Sequence, residues 1–432
     1  MSDLTRRGFL GTSAAAAAYA AAPARARSSG IDNEIKVGLI GCGGRGTGAA
    51  LQALHAAGGG VVLTAMADAL ADRVEGSYGS LKAALEEEGG ADGLRVAPDR
   101  RFHGLEAWRK VVDSDVDVVL LCTPPGFRPV QLAGAVAAGK HVFCEKPMAV
   151  DGPGVRSVIA SAEAQERNRK ALVAGFCWRY NVRHRQLFQR VRQGAVGDIR
   201  AIYTTYLTGP LAARSRQDGW SDMEYQLRNW QHFLWLSGDH VVEQAVHMID
   251  QMSWAMGDVA PERVWAMGGR QWRGQSAENV GNIYDHFSAC FEYPGGVKAF
   301  HQSRQQPNCP FDNTTTILGS KGQAYVDGWK PDLHVTGPEA WAYEGTGEEN
   351  DMYQQEHDEL FASVRAGKPV NDGAWMARST LLAIMLRMSA YTGQAITYEQ
   401  ALNSQEKLGP ETWEFGAVPV PPVPVPGVTR FL

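Results

Sequence analysis

Six consecutive residues, Gly41-Cys42-Gly43-Gly44-Arg45-Gly46, constrain this chain more than any others. They follow an apolar run of strand length, residues 34–40, and precede an alanine-rich stretch, residues 49–57, that reads as helix. A G-x-G-x-x-G pattern between a strand and a helix is the signature of a dinucleotide-binding turn. Gly41 permits the tight turn, Gly43 lets backbone approach a pyrophosphate, and Gly46 allows close contact between helix and strand. Amides at the helix start face the phosphates, which brings Gly44 and Arg45 into the same set. An ordinary tight turn would explain the glycines taken alone. The next apolar strand, residues 61–67, weighs against it by ending at Asp68, about 20 residues past the loop, where a carboxylate binds the adenosine ribose. That carboxylate also repels a 2′-phosphate, so NAD is expected. Arg73, close behind, is the residue that would admit NADP.

The alternation continues. Residues 71–88 and 105–112 read as helices, and residues 116–122 (VDVVLLC) as a parallel strand buried on both faces. Thr123-Pro124-Pro125 closes that strand, residues 129–138 read as helix, and residues 141–144 form a strand running into Glu145-Lys146-Pro147. Such alternation predicts a doubly wound parallel sheet. Ligands bind at the carboxyl ends of its strands, so Thr123, Pro124, Glu145 and Lys146 join the expected cofactor contacts. A chain of 432 residues exceeds what one core usually serves. We expect a dinucleotide domain over 34–150 and a second domain over 151–416, with β-rich segments across 264–334. Helices are expected at 352–365 and 375–392, and a late helix is expected to return to the first domain. Residues 417–432, rich in Pro and Val, predict an extended arm on this subunit or a neighbour.

The charge balance, 42 Lys+Arg against 47 Asp+Glu, shows no basic stripe and argues against a nucleic-acid partner. No apolar run approaches the roughly 20 residues that span a bilayer. At the N-terminus, Thr5-Arg6-Arg7-Gly8-Phe9-Leu10 precedes an alanine-rich stretch and Ala24-Arg25-Ala26. That order predicts a removable targeting peptide over 1–26, and the arginine pair points to twin-arginine export, hence a periplasmic or otherwise exported protein. The six cysteines show neither C-x-x-C nor zinc-ligand spacing, so no structural disulfide is expected.

Together these motifs resemble the glucose–fructose oxidoreductase / inositol dehydrogenase family, also called Gfo/Idh/MocA. The matching segments are Gly41 to Gly46, Cys122-Thr123-Pro124-Pro125, and Ala138-Gly139-Lys140-His141-Val142-Phe143-Cys144-Glu145-Lys146-Pro147. Val173-Ala174-Gly175-Phe176 through Gly194-Ala195-Val196-Gly197-Asp198-Ile199 looks like the entry to the family's second domain. Gly319-Ser320-Lys321-Gly322 looks like a hairpin in its large sheet. The resemblance implies an α/β fold: a Rossmann domain followed by an α/β domain whose open, mostly antiparallel sheet forms homo-oligomers. It also implies that Lys146 lies beside the nicotinamide and the reacting hydroxyl. A helix carrying an acid and a histidine four residues apart is matched by Glu243 and His247. Two departures stand out: Glu243 replaces the commoner Asp, and Arg128 stands near the place of a histidine often found after the Thr-Pro turn.

These residues suit oxidation of a secondary alcohol. His247 is the expected base, and Lys146 would stabilise the developing alkoxide. Glu243 would bind a second hydroxyl or orient the imidazole. His240, Glu243 and His247, at i, i+3 and i+7, are expected to face one cavity. A zinc reading of that trio lacks the HExxH spacing, and the family usually needs no metal. A buried histidine satisfied by a core carboxylate is the plainer alternative. Trp178, Arg179 and Tyr180 follow a strand end and are expected to line the substrate cleft. Most aromatics between Trp220 and Trp235 are expected in the core, and residues 183–192 are expected to be a solvated helix. The expected function is nicotinamide-dependent oxidation of a sugar, glycoside or polyol, with cofactor tightly held and recycled in place because free NAD(H) is scarce outside the cytoplasm. A redox-neutral glycoside hydrolase, working by oxidation, elimination, hydration and re-reduction, is the alternative. A non-catalytic sugar-binding sensor is the alternative of another class.

Overall fold

The computed structural model describes residues 34–275, 280–344 and 350–432. The targeting peptide expected over 1–26 lies outside them. β1 (Ile35–Ile40), β2 (Val61–Asp68), β3 (Arg101–His103), β4 (Val118–Leu121), β5 (His141–Glu145) and β6 (Leu172–Gly175) form one sheet. Its order is β3-β2-β1-β4-β5-β6, with every pair parallel. The sheet is buried on both sides, and β4 shows why its sequence is unbroken apolar. Val118 and Leu120 enter one core with Ala49, Ala50 and Ala53, whereas Val119 and Leu121 enter another with Leu132 and Ala135. The first sheet does not stop at residue 150, because its sixth strand lies at Leu172–Gly175. Strand order reverses between β1 and β4, and that is where an open α/β sheet leaves a crevice.

The second sheet contains β7 (Ile199–Thr208), β8 (Arg263–Gly269), β9 (His286–Glu292), β10 (Lys298–Gln305), β11 (Thr314–Gly319), β12 (Gln323–Asp327), β13 (Leu333–Thr336), β14 (Trp341–Ala342) and β15 (Ile396–Thr397). Its order is β14-β13-β12-β11-β7-β10-β9-β8-β15, and only β7 and β10 pair in parallel. Alternation sets its two faces. Phe287, Ala289 and Phe291 of β9 point into the core, while Ser288 and Cys290 point away. Helices Val246–Ala255 and Gly373–Thr392 cover the inner face. The outer face leaves Tyr203, Trp265 and Met267 exposed.

Helix Met352–Arg365 lies along helix Gly44–Leu54 and adds Leu360 and Phe361 to the core beneath β1. The proline-rich tail lies on its own chain. The Gln226 amide donates to the Val418 carbonyl at 2.7 Å, and the Tyr284 hydroxyl donates to the Pro424 carbonyl at 2.7 Å. The Ser404 hydroxyl donates to the Leu432 carbonyl at 2.5 Å. All six cysteines are free thiols.

Candidate functional site

A cleft opens at the carboxyl ends of β1, β2 and β4. Gly41 makes it: at φ +98, a side chain there would sit 2.6 Å from the backbone of Cys122 and Thr123. Bare backbone therefore lets the ends of β1 and β4 touch. Gly46 is equally constrained, since its Cβ would fall 1.8 Å from the Gly41 carbonyl. Gly43 and Gly44 differ, with nothing within 4 Å of a Cβ placed on either. The helix begins at Gly44, earlier than expected, and Gly43 gives it no side-chain cap. Its first amides thus face an open cradle of the kind a pyrophosphate fills. Asp68 stands across the cleft and accepts the Cys42 amide at 2.7 Å and the Leu70 amide at 3.0 Å. Each of its oxygens keeps a free lone pair for a ribose hydroxyl. Burial raises its carboxyl above the usual range, and those amides pull it back. Arg73, Thr123, Pro124 and Gln131 also line the cleft, with the Thr123 hydroxyl donating to Gln131 at 2.5 Å. A dinucleotide fits these donors and this shape.

Arg45 links the cleft to the reactive end. Its Nε lies 3.0 Å from Glu145, which is buried. Glu145, expected among the cofactor contacts, lies against Arg45 and accepts the Lys146 amide at 3.2 Å. Glu356, on the late helix, is fully buried beside them. Burial first, then the Glu145 charge, pushes its carboxyl well up, against the pull of Arg45.

Lys146 follows β5 and extends into the second domain. Its ammonium donates to the Glu243 carbonyl at 2.5 Å and to the Glu243 carboxylate at 3.2 Å. Glu243 therefore holds the lysine rather than the imidazole. His247 lies against Trp178 and Phe176, with ring centroids 4.9 and 6.1 Å away. Burial, then the Lys146 charge, drives its pKa well below the ordinary histidine value. Lys146 thus bonds Glu243, and its charge adds to burial in holding down the His247 pKa.

The expected continuous helix is broken. His240–Glu243 is a single turn, and a new helix starts at Val246. The break falls between Glu243 and His247, and His240 has other neighbours. It lies 3.0 Å from Asp239, against Phe287 and nearly inaccessible, so neither the shared cavity nor the zinc-like trio is assembled.

Arg179 and Tyr180 do not line a cleft. The Arg179 guanidinium is buried between Asp250 and Asp258, at 2.8 and 2.6 Å, and the Tyr180 hydroxyl donates to Asp372. Both are internal ties whose partners lie far along the chain. Trp178 does reach His247, but it is 2% exposed, and the accessible ring beside it belongs to Trp329. The helix expected to be solvated over 183–192 buries Arg183 and His184. Arg128 is also buried; it donates to the Pro147 carbonyl and braces the turn carrying Lys146. Sequence reasoning missed Tyr206 on β7, whose phenol is raised by burial and then by the Glu243 charge. It also missed Leu227 and Trp230, which line the dinucleotide cleft from the second domain.

Two family models match this chain: the oxidoreductase family, NAD-binding Rossmann fold, over residues 35–174, and the GFO/IDH/MocA C-terminal domain over residues 184–325. Together they span nearly two thirds of it. A trans-1,2-dihydrobenzene-1,2-diol dehydrogenase from Mus musculus is 27% identical over 52% of this chain and 60% of its own length. A 2,7-anhydro-N-acetylneuraminate hydratase from Escherichia coli is 24% identical over 55% of this chain and 58% of its own. The match thus spans about three fifths of these relatives. Levoglucosan dehydrogenase, solved with NADH and levoglucosan, superposes with a TM-score of 0.64 at 18% identity, covering 85% of this chain and all of that one.

Proposed function

This chain belongs to the Gfo/Idh/MocA family of oxidoreductases, and from that premise we propose that it oxidises a secondary hydroxyl of a sugar, glycoside or polyol with NAD. One observation carries the reading: Lys146, leaving the carboxyl edge of the Rossmann sheet, meets Glu243 at 3.2 Å, four residues before the imidazole of His247. The bound nicotinamide would supply the hydride acceptor. His247, neutral at neutral pH, takes the hydroxyl proton. Lys146 stabilises the alkoxide left behind, and Glu243 fixes the direction of that ammonium. The levoglucosan dehydrogenase likeness supports a carbohydrate substrate.

NAD is preferred because Asp68 faces the ribose site. We propose export by the twin-arginine route on the strength of Arg6-Arg7 and the alanine-rich stretch behind them, with cofactor loaded beforehand and recycled in place. The exposed apolar outer face of the second sheet suits association with a second copy of this chain. A redox-neutral glycoside reaction is the second reading, favoured by the hydratase among the relatives. A sensor that only binds sugar has no use for a lysine and imidazole so coupled.

The test begins with mass spectrometry and near-ultraviolet absorbance of purified protein, where bound nicotinamide is expected. Free sugars and aryl glycosides are then offered. Reduction of the bound cofactor by a free sugar supports the first reading, and release of an aglycone without net reduction supports the second. Protein that neither holds nor binds NAD(H) would overturn both.

A further inference from the structure

The dinucleotide cleft is not built by the Rossmann domain alone. The strand ends and the glycine turn line it from the first domain, and Leu227 and Trp230 line it from the second. Both belong to a segment opened by helix Asp222–Arg228, whose last residue reaches back to the first domain. The Arg228 guanidinium donates to both carboxylate oxygens of Asp72, at 3.0 Å each, and Asp72 lies four residues past Asp68. Arg228 is further held by Glu224 at 2.9 Å and lies over the Trp220 ring at 4.8 Å. The segment is anchored from behind as well. Gln226 accepts from the Trp235 indole at 2.7 Å while donating to Val418 of the tail. The Met223 amide donates to the Gly416 carbonyl at 3.1 Å.

From this arrangement we infer that Leu227 and Trp230 are cofactor-contact residues: they wall the adenosine end of the cleft, and the Asp72–Arg228 ion pair latches that wall shut. Asp68, Leu70 and Arg73 mark this end as the adenosine side. An indole there presents a flat apolar surface to a purine. The ion pair lies beside the cleft, in an adjoining groove, and ties the segment carrying Leu227 and Trp230 to the first domain. The inference rests on the reading that NAD occupies the cleft, and it adds to that reading which residues set the residence time.

The experiment measures NADH release from the loaded full-length chain by stopped-flow loss of protein-to-NADH energy transfer, with excess unlabelled NAD as chase. Asp72 is largely exposed, so Asp72→Asn perturbs the latch without touching the core. It should speed release about twofold to fivefold, the range expected for an accessible ion pair. Added salt should speed wild-type release more than Asp72→Asn release, because only wild type has the exposed pair to screen. Trp230→Ala should speed release about tenfold or more. The melting temperature of the cofactor-free protein should stay near wild type in Asp72→Asn, which separates a latch from general stability. Release rates unchanged in both variants, with NADH still bound, would overturn the inference and leave the cofactor reading intact. Wild-type protein that takes up no NADH would instead overturn the reading beneath it.

Discussion

Replacing Gly43 with valine separates the architecture of the glycine turn from its ligand. Gly43 has φ −75 and ψ −178, a conformation any residue adopts, and its Cβ would meet nothing within 4 Å. The ligand-free protein should therefore lose no more than about 1 kcal/mol, the size of a poorer helix cap. The valine methyls would occupy the cradle that a pyrophosphate needs. Overpacking of about 1–3 kcal/mol corresponds to roughly a 5- to 150-fold weaker NAD affinity. Gly41→Ala is the contrasting control. It combines a positive φ with a Cβ 2.6 Å from the Cys122 and Thr123 backbone. Its cost should be about 2–5 kcal/mol of stability in the absence of any ligand. Calorimetric titration with NAD and thermal unfolding of ligand-free protein give both numbers. Gly43→Val that binds NAD like wild type, or that melts as early as Gly41→Ala, would mean that the space over Gly43 is not the pyrophosphate cradle.

Lys146→Met should lower kcat by about 10²–10³ while leaving NAD affinity within a few fold, as for loss of a charge-stabilising donor; unchanged turnover measured under saturating substrate removes the lysine from the mechanism. His247 is held neutral well below its ordinary pKa, so kcat/KM should not break near 6.5 and its acid limb should lie lower. A profile that breaks at or above 6.5 contradicts that role. His184, His301 and His357 are buried with pKa values of about 3. Because these folded values are depressed, their stability contribution is whole above about 6.5 and is lost as pH falls towards 3. Each costs about 2 kcal/mol between pH 8 and 5. His357→Leu should therefore flatten the acid limb of urea-unfolding stability by that amount, and an unaltered slope would show that the imidazole is not what acid attacks.

Much of the first domain was legible because its signals are local. A glycine turn, an unbroken apolar strand and a terminal acid each report on backbone a few residues away. Helix Met352–Arg365 was read to its ends, since its amphipathic repeat stands between clear stops. β3, with the sequence Arg-Phe-His, carries no such pattern and was missed. The break after Glu243 was also invisible: two helices joined at a bend keep the same polar spacing as one, and only side-chain directions reveal the difference. Arg179 illustrates the limit most sharply. Its partners Asp250 and Asp258 are distant in sequence, and a guanidinium after a strand end looks the same whether it meets substrate or an internal carboxylate. Leu227 and Trp230 were hidden for a related reason, because they complete a cleft whose fingerprint belongs to another domain.

The contacts from Gly416 and Val418 to the segment over the cleft bear on when this protein becomes competent. A ribosome delivers the glycine turn well before those two residues. The nascent Rossmann unit can form its sheet while the rest is still being translated, but the wall carrying Leu227 and Trp230 waits for the segment that holds Gly416 and Val418. The cleft is thus walled only after that later segment has emerged and folded back onto Met223 and Gln226.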